Sequence, residues 1–166
     1  METKNQMQIV KDVANKKVTI TRQFDAAPAE VWRAWTESEL LDQWWAPKPW
    51  KAETKEMNFK SGGYWLYAMV GPDDTRIWAR VDFSSINPKK SYEAIDTFCD
   101  ENGKPNAEMP RMTWKNTFES SEGGTKLTVI IAFQKEADIK VIMDMGFEQG
   151  FSSALDNLDE LLLRKL

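Results

Sequence analysis

From Ala137 to Leu166 the apolar residues Ile139, Ile142, Met143, Phe147, Phe151, Ala154, Leu155, Leu158, Leu161 and Leu162 recur at steps of three and four. That period gathers side chains on one stripe of an α-helix. Asp144, Glu148, Asp156, Asp159, Glu160 and Arg164 fall largely off the stripe and can face water. A long one-sided helix needs a second layer to cover it, and here that layer is predicted to be a curved sheet. Gly146 and Gly150 sit one turn apart in the first half, and each costs about 1 kcal/mol of helix stability relative to alanine. Either they let a strand backbone come close, as in a plain packing helix, or that half roofs over a space that a ligand can fill.

The covering layer is legible upstream. Met1 to Asn15 is polar and loose at its start, with Met7 to Asp12 leading towards the first strand, so residues 1–16 are set apart from a single domain at 17–166. From Lys17, Val18, Ile20 and Phe24 alternate with Thr19, Thr21 and Gln23, the pattern of a half-buried strand with Arg22 on its apolar side. Asp25-Ala26-Ala27-Pro28 opens a helix with Val31, Trp32 and Trp35 inward. Thr36 or Ser38 is placed to cap a second short helix through Leu41, Trp44 and Trp45, which ends before Pro47 and Pro49. Strands are predicted at 51–59, 64–70, 76–86, 91–98, 112–119 and 126–133. Most are joined by short turns such as Ser61-Gly62-Gly63, Gly71-Pro72-Asp73-Asp74, Asn87-Pro88-Lys89-Lys90 and Glu122-Gly123-Gly124. Hairpin links throughout make the sheet antiparallel. The fold class is therefore α+β: about six or seven antiparallel strands curved around a long C-terminal helix, with two short helices after the first strand.

Composition removes whole classes of chemistry. The 166 residues contain no histidine and one cysteine, Cys99. Ser-His-Asp and Cys-His nucleophile pairs, histidine metal sites and an internal disulfide are excluded, so no cofactor and no metal is expected. A catalyst built here would rely on Asp, Glu, Lys, Tyr or a bound cofactor, and no recognised catalytic motif is present, which weighs against an enzyme. With 22 basic and 26 acidic residues, net charge −4 and the basic residues scattered, nothing favours nucleic acid or an anionic membrane. No run approaches the roughly 18 apolar residues of a membrane span, and the first residues lack the order of a signal peptide. A cytoplasmic protein is expected.

Strand parity sorts the faces and yields the candidate site. Trp65, Tyr67 and Met69 share one face, as do Ile77, Ala79, Val81 and Phe83. Trp114, Asn116 and Phe118 are likewise paired in direction, and so are Leu127, Val129, Ile131 and Phe133. In 91–98 the even positions are Tyr92, Ala94, Asp96 and Phe98, which sets Asp96 among apolar neighbours. A carboxylate so placed must find a partner or shift its pKa, and Arg22 is the partner that parity offers; a solvated Asp96 on an outward position is the alternative. The predicted ligand-binding set is Trp45, Trp65, Tyr67, Met69, Asp96, Trp114, Asn116, Phe118, Phe133, Met143, Phe147 and Phe151.

The run Ile20-Thr21-Arg22-Gln23-Phe24-Asp25-Ala26-Ala27-Pro28, followed by Val31-Trp32-Arg33-Ala34-Trp35-Thr36 and Leu41-Asp42-Gln43-Trp44-Trp45-Ala46-Pro47, resembles the opening of the SRPBCC superfamily. This is the START/birch-pollen-allergen helix-grip fold, and the likeness points to its branch of heat-shock-protein-90 ATPase activator homologues. It continues through Gly62-Gly63, Asn87-Pro88, the stretch Asp96 to Gly103, Gly123-Gly124-Thr125 and Gly146-Phe147-Glu148-Gln149-Gly150. The resemblance implies a hydrophobic tunnel between sheet and helix. It implies much less about activity, since members include lipid and sterol carriers, hormone receptors and polyketide cyclases. The absence of histidine and the aromatic-rich inward set favour a carrier or sensor for a small hydrophobic molecule, lipid, polyketide-like or aromatic. Two other readings are a cyclase or hydrolase using the same cavity, with Asp96, Tyr67 or Tyr92 moving a proton, and a chaperone-ATPase-activating module acting through the outer surface. The eukaryotic co-chaperone carries a separate N-terminal domain for which 166 residues leave no room, which counts against the last. A small hydrophobic partner is expected, while a chaperone contact and a homodimer stay open.

Overall fold

The computed structural model describes residues 6–164; Met1 to Asn5, Lys165 and Leu166, and with them the loose start and the last helical residues expected from the sequence, lie outside the described residues. Eight strands, β1 (Gln8–Asp12), β2 (Lys17–Phe24), β3 (Lys51–Met57), β4 (Tyr64–Val70), β5 (Arg76–Asn87), β6 (Ser91–Cys99), β7 (Met112–Ser121) and β8 (Gly124–Phe133), form one sheet. Its order is β1-β2-β8-β7-β6-β5-β4-β3, and every pairing is antiparallel. Helices α1 (Pro28–Thr36) and α2 (Ser38–Trp44) carry the chain from β2 to the far edge, where β3 begins. All other strand links join neighbours, as the turn chemistry predicts.

Two differences from expectation have physical causes. The sheet has eight strands rather than six or seven because Gln8–Asp12 pairs with β2, from Gln8 opposite Thr21 to Asp12 opposite Lys17. Four of its five residues are exposed and Ile9 alone of the five packs against the core, so backbone hydrogen bonds more than an apolar face hold this edge, and it leaves no periodic trace. The terminal helix is also two helices, α3 (Glu136–Asp144) and α4 (Phe147–Leu163). The break is at Gly146, whose φ is +87°, a left-handed conformation that only glycine adopts without strain. Its N–H donates to the Met143 carbonyl at 3.0 Å, closing the end of α3.

Packing divides the interior into a filled and an unfilled part. On α4, Phe151, Ala154, Leu155, Leu158, Leu161 and Leu162 are buried against the concave face, each full leucine burial being worth about 1.5–3 kcal/mol. From α1, Trp32 sets its ring edge-on to Phe59, Tyr92 and Phe118 at centroid distances of 5.7, 5.9 and 5.3 Å, and this plugs one side of the bowl. Neither Thr36 nor Ser38 caps α2; Glu37 holds that position without a side-chain bond, and Thr36 Oγ1 donates to the Trp32 carbonyl instead.

Arg22 does not pair with Asp96. It is 4% exposed, and its Nη1 and Nη2 lie 2.7 and 3.7 Å from Asp156 and Asp159 on the outer flank of α4. Register explains the correction. Arg22 is opposite Leu127 and Asp96 is in the row of Met112 and Phe133, six residues further along β8, about 20 Å at strand rise.

The two helical glycines have opposite requirements, and a substitution at each should change stability in opposite directions. At Gly150 a Cβ would meet nothing nearer than Pro47 Cγ at 3.7 Å, so Gly150→Ala is expected to raise unfolding free energy by up to about 1 kcal/mol. Gly146→Ala is expected to lower it by about 1 kcal/mol or more, because a Cβ is forced to a positive φ. Urea midpoints of the two variants, read against the unsubstituted chain, check both signs.

Candidate functional site

Between the start of α4 and the sheet lies a cavity of about 360 Å³, partly open to solvent. The α2–β3 connection gives it Trp45, Pro47 and Trp50. Strands β4 to β7 give Tyr67, Met69, Ile77, Ala79, Asp96, Phe98, Met112 and Trp114. The helices give Ile142, Met145, Gly146, Phe147, Gly150, Phe151 and Ala154. Ile77 and Met145, 42% and 53% exposed, are large apolar side chains that meet both the cavity and solvent, and so mark its mouth. The cavity exists where it does because the helix breaks there: at Gly146 and Gly150 there is no side chain to reach down to the sheet.

The walls are held in place by polar contacts behind them. Asn157 of α4 donates to the carbonyls of Trp44 and Ala46 at 3.4 and 3.0 Å, which fixes the connection bearing Trp45 and Pro47. Trp45 Nε1 donates to the Tyr67 hydroxyl at 2.8 Å. Trp65 stacks on Tyr67 at 4.0 Å and donates to Thr54 Oγ1, which in turn donates to Asp42. An unbroken aromatic band follows, Tyr67–Trp45–Phe151–Trp114, with Phe147 stacked on Phe151 at 5.3 Å. Edge-to-face contacts dominate it, and each such pair adds about 0.5–1.5 kcal/mol beyond area burial.

Of the twelve residues predicted from sequence, the structure brings Trp45, Tyr67, Met69, Asp96, Trp114, Phe147 and Phe151 onto the cavity wall. Five lie elsewhere. Trp65 backs Tyr67 from behind, and Phe118 packs with Trp32 and Trp35 in the filled part. Asn116, opposite Tyr92, is buried with its Oδ1 unpartnered. Phe133 is buried in the row beyond Met112, and Met143 packs against the core one helical step away from the lining residue Ile142. Parity assigns all the strand residues among them to the concave face correctly, but a face has depth along the strand. Ile77, Ala79 and Phe98 carried the same parity signal and were missed because the row under the helix break cannot be counted from sequence.

Asp96 is the one carboxyl group on the wall. It is half-buried because the cavity opens onto it, while the rest of its surroundings are protein; burial pushes its pKa up to about 7, against a weaker opposing hydrogen bond from the Thr97 backbone. Tyr67 is held well above its usual range, first by burial and next by the nearby Asp96 charge, and so stays neutral. Trp114 Nε1 is enclosed with no acceptor. Chemically the site offers aromatic faces, a neutral hydroxyl and a carboxyl group poised between its two protonation states.

A model of the family described as Activator of Hsp90 ATPase homolog 1-like protein matches residues 25–163. The chain belongs to that family. The matched stretch runs from α1 to α4 and includes every residue that lines the cavity, Trp45 to Ala154. Three solved structures show the same fold over more than nine-tenths of each chain. A solution structure from Arthrobacter aurescens is 31% identical, with 95% of this chain and 91% of that one covered at a TM-score of 0.89. A crystal structure from Mycobacterium smegmatis is 28% identical over 93% and 95%, with a TM-score of 0.87. A solution structure from Staphylococcus epidermidis is 30% identical over 96% and 95%, with a TM-score of 0.83. Comparison with curated protein sequences gave no match.

The raised pKa of Asp96 makes a signed prediction for this family member. The folded state holds the proton more tightly than the unfolded chain, so stability is highest below about pH 4 as far as this group is concerned. It declines as pH rises towards 7. Asp96→Asn removes that slope. Relative to the unsubstituted chain, the variant is expected to gain about 1–2 kcal/mol between pH 5 and pH 8, less than the full shift because cavity water solvates the carboxylate. Urea midpoints across that range test this; two parallel profiles would contradict it.

Proposed function

We propose that this chain carries or senses a small hydrophobic molecule held in the cavity between α4 and the sheet. The observation that bears most on this is at Gly150. It lies inside a helix, where glycine costs about 1 kcal/mol, yet its nearest neighbour beyond the helix is 3.7 Å from where a Cβ would stand. No close backbone approach requires the missing side chain, so what its absence gives is room. The volume, about 360 Å³, falls in the range of ligand pockets, as does a lining that is aromatic and aliphatic with very few polar groups. Met69, Met112 and Met145 add adaptable side chains that repack around differing shapes. The family's name does not specify a guest, and the proposal draws on the cavity alone for the ligand class.

Filling the cavity from the helix tests the reading. Gly150→Leu is expected to weaken binding of the uncharged dye prodan by about tenfold or more, a change of roughly 1.4 kcal/mol, while leaving the unfolding midpoint close to that of Gly150→Ala. Dye emission and quenching of Trp45 and Trp114 report the binding. Native mass spectrometry of freshly purified protein adds the identity of any retained guest. Equal dye affinity in the two variants would overturn the proposal.

A further inference from the structure

The cavity has an electrostatic sign as well as a shape. Of its eighteen lining residues only Asp96 and Tyr67 have titratable side chains. The Tyr67 hydroxyl oxygen already accepts a hydrogen bond from Trp45 Nε1. No Lys or Arg among the described residues lies within 4.0 Å of Asp96; the buried Arg22 is engaged by Asp156 and Asp159. Arg80, on the neighbouring β5, binds Asp82 at 2.9 Å and lies 4.1 Å over the Tyr64 ring, positions of opposite parity to the cavity residues Ala79 and Tyr67. From α3 and α4 the cavity receives Ile142, Met145, Phe147, Phe151 and Ala154 with two glycines, and from the α2–β3 connection Trp45, Pro47 and Trp50, none of them charged. Cys99, half-buried at the end of β6, is a further titratable neighbour of Asp96 among the described residues; burial first and the Asp100 charge next keep its thiol protonated above the ordinary range.

A lone carboxyl group facing aromatic rings, with no cation of its own, is complementary to one kind of guest. An anionic ligand would meet like charge with nothing to offset it. A pure hydrocarbon would strip the remaining water from Asp96 and leave it unpaired. An ammonium group would supply the missing partner through a charge-assisted hydrogen bond, and the ring faces would attract the same positive charge. Resting on the cavity reading above, we infer that the guest is a small arylalkylamine, its ammonium group paired with Asp96 and its ring lying against Trp45, Trp114 and Phe151.

A matched pair of probes tests this: 2-(1-naphthyl)ethylamine and 2-(1-naphthyl)ethanol, alike in shape and different in charge, titrated into the protein at pH 8 by calorimetry and tryptophan quenching. The amine is expected to bind about tenfold more tightly or better, consistent with one charge-assisted contact plus ring attraction. In Asp96→Asn the ratio of the two affinities should fall to about one, and continued binding of either probe there reports an intact cavity. If the variant does not fold, the preference in the unsubstituted chain decides: it should grow as pH rises from 5 to 8 through the titration of Asp96, and a flat ratio overturns the inference. Equal binding of the two probes, no binding of either, or an amine preference that survives in Asp96→Asn each overturn it too. Prodan binding that remains sensitive to Gly150→Leu would, in those cases, leave the cavity reading standing and remove only the amine.

Discussion

Burial of the α4 stripe on the concave face of the sheet is the contact that the rest of the molecule depends on. Leu155, Leu158, Leu161 and Leu162, all 6% exposed or less, together contribute roughly 6–12 kcal/mol of apolar burial, as large as the whole net stability of an ordinary domain. Among the described residues no other helix is as long; α1 meets β7 and β8, and α2 meets β3 at the far edge. Because the second half of α4 is so firmly seated, its first half need not be. The chain can place two glycines and an open space there and still fold.

The same division of labour orders the aromatic residues. Trp35 and Trp44 are buried to 2% or less and meet edge-on at 5.0 Å, and Trp32 bridges Phe59, Tyr92 and Phe118. Those rings are core. Trp45, one residue after Trp44, turns the other way: half-buried, bonded to Tyr67, and exposed to the cavity. Adjacent tryptophans thus serve the fold and the site separately, and Asn157, reaching from the firmly packed part of α4 to the carbonyls of Trp44 and Ala46, keeps the two in register. Rigid walls around an unfilled volume are what a site needs if it is to bind without first reorganising.

Much of this was legible from the residues. Hairpin turns and two-residue alternation carry strand order and facing, and the three-and-four spacing carries the α4 stripe, because both are local rules repeated along the chain. Distance between rows is not local. Arg22 and Asp96 share a face, and parity alone made them partners; register puts six residues of β8 between their rows. Asn116 and Phe118 were placed on the correct side yet lie beyond the cavity for the same reason. Strand β1 was missed as an element because an exposed edge is held by its backbone, on which side-chain pattern is silent. The helix break at Gly146 was visible only as a cost, since one glycine can equally be a close contact, a cap or a gap, and only its φ separates these.

Sequences generally agree with their folds at every level, and the places where local rules are broken without structural return are where function is to be sought. Three such breaks converge here. Gly150 weakens a helix without relieving any clash, Asp96 stands among apolar neighbours without a cation, and Met145 and Ile77 leave large apolar side chains in water at one rim. Each alone is an ordinary imperfection worth about 1–2 kcal/mol. A chain selected only for stability would remove them by single substitutions, alanine at 150 and asparagine or an apolar residue at 96, none of which meets a steric obstacle as severe as the strain at Gly146. All three border the same volume. Their coincidence favours a guest that supplies what the cavity lacks: surface to fill the gap under the helix, cover for the rim, and a positive charge for the carboxylate.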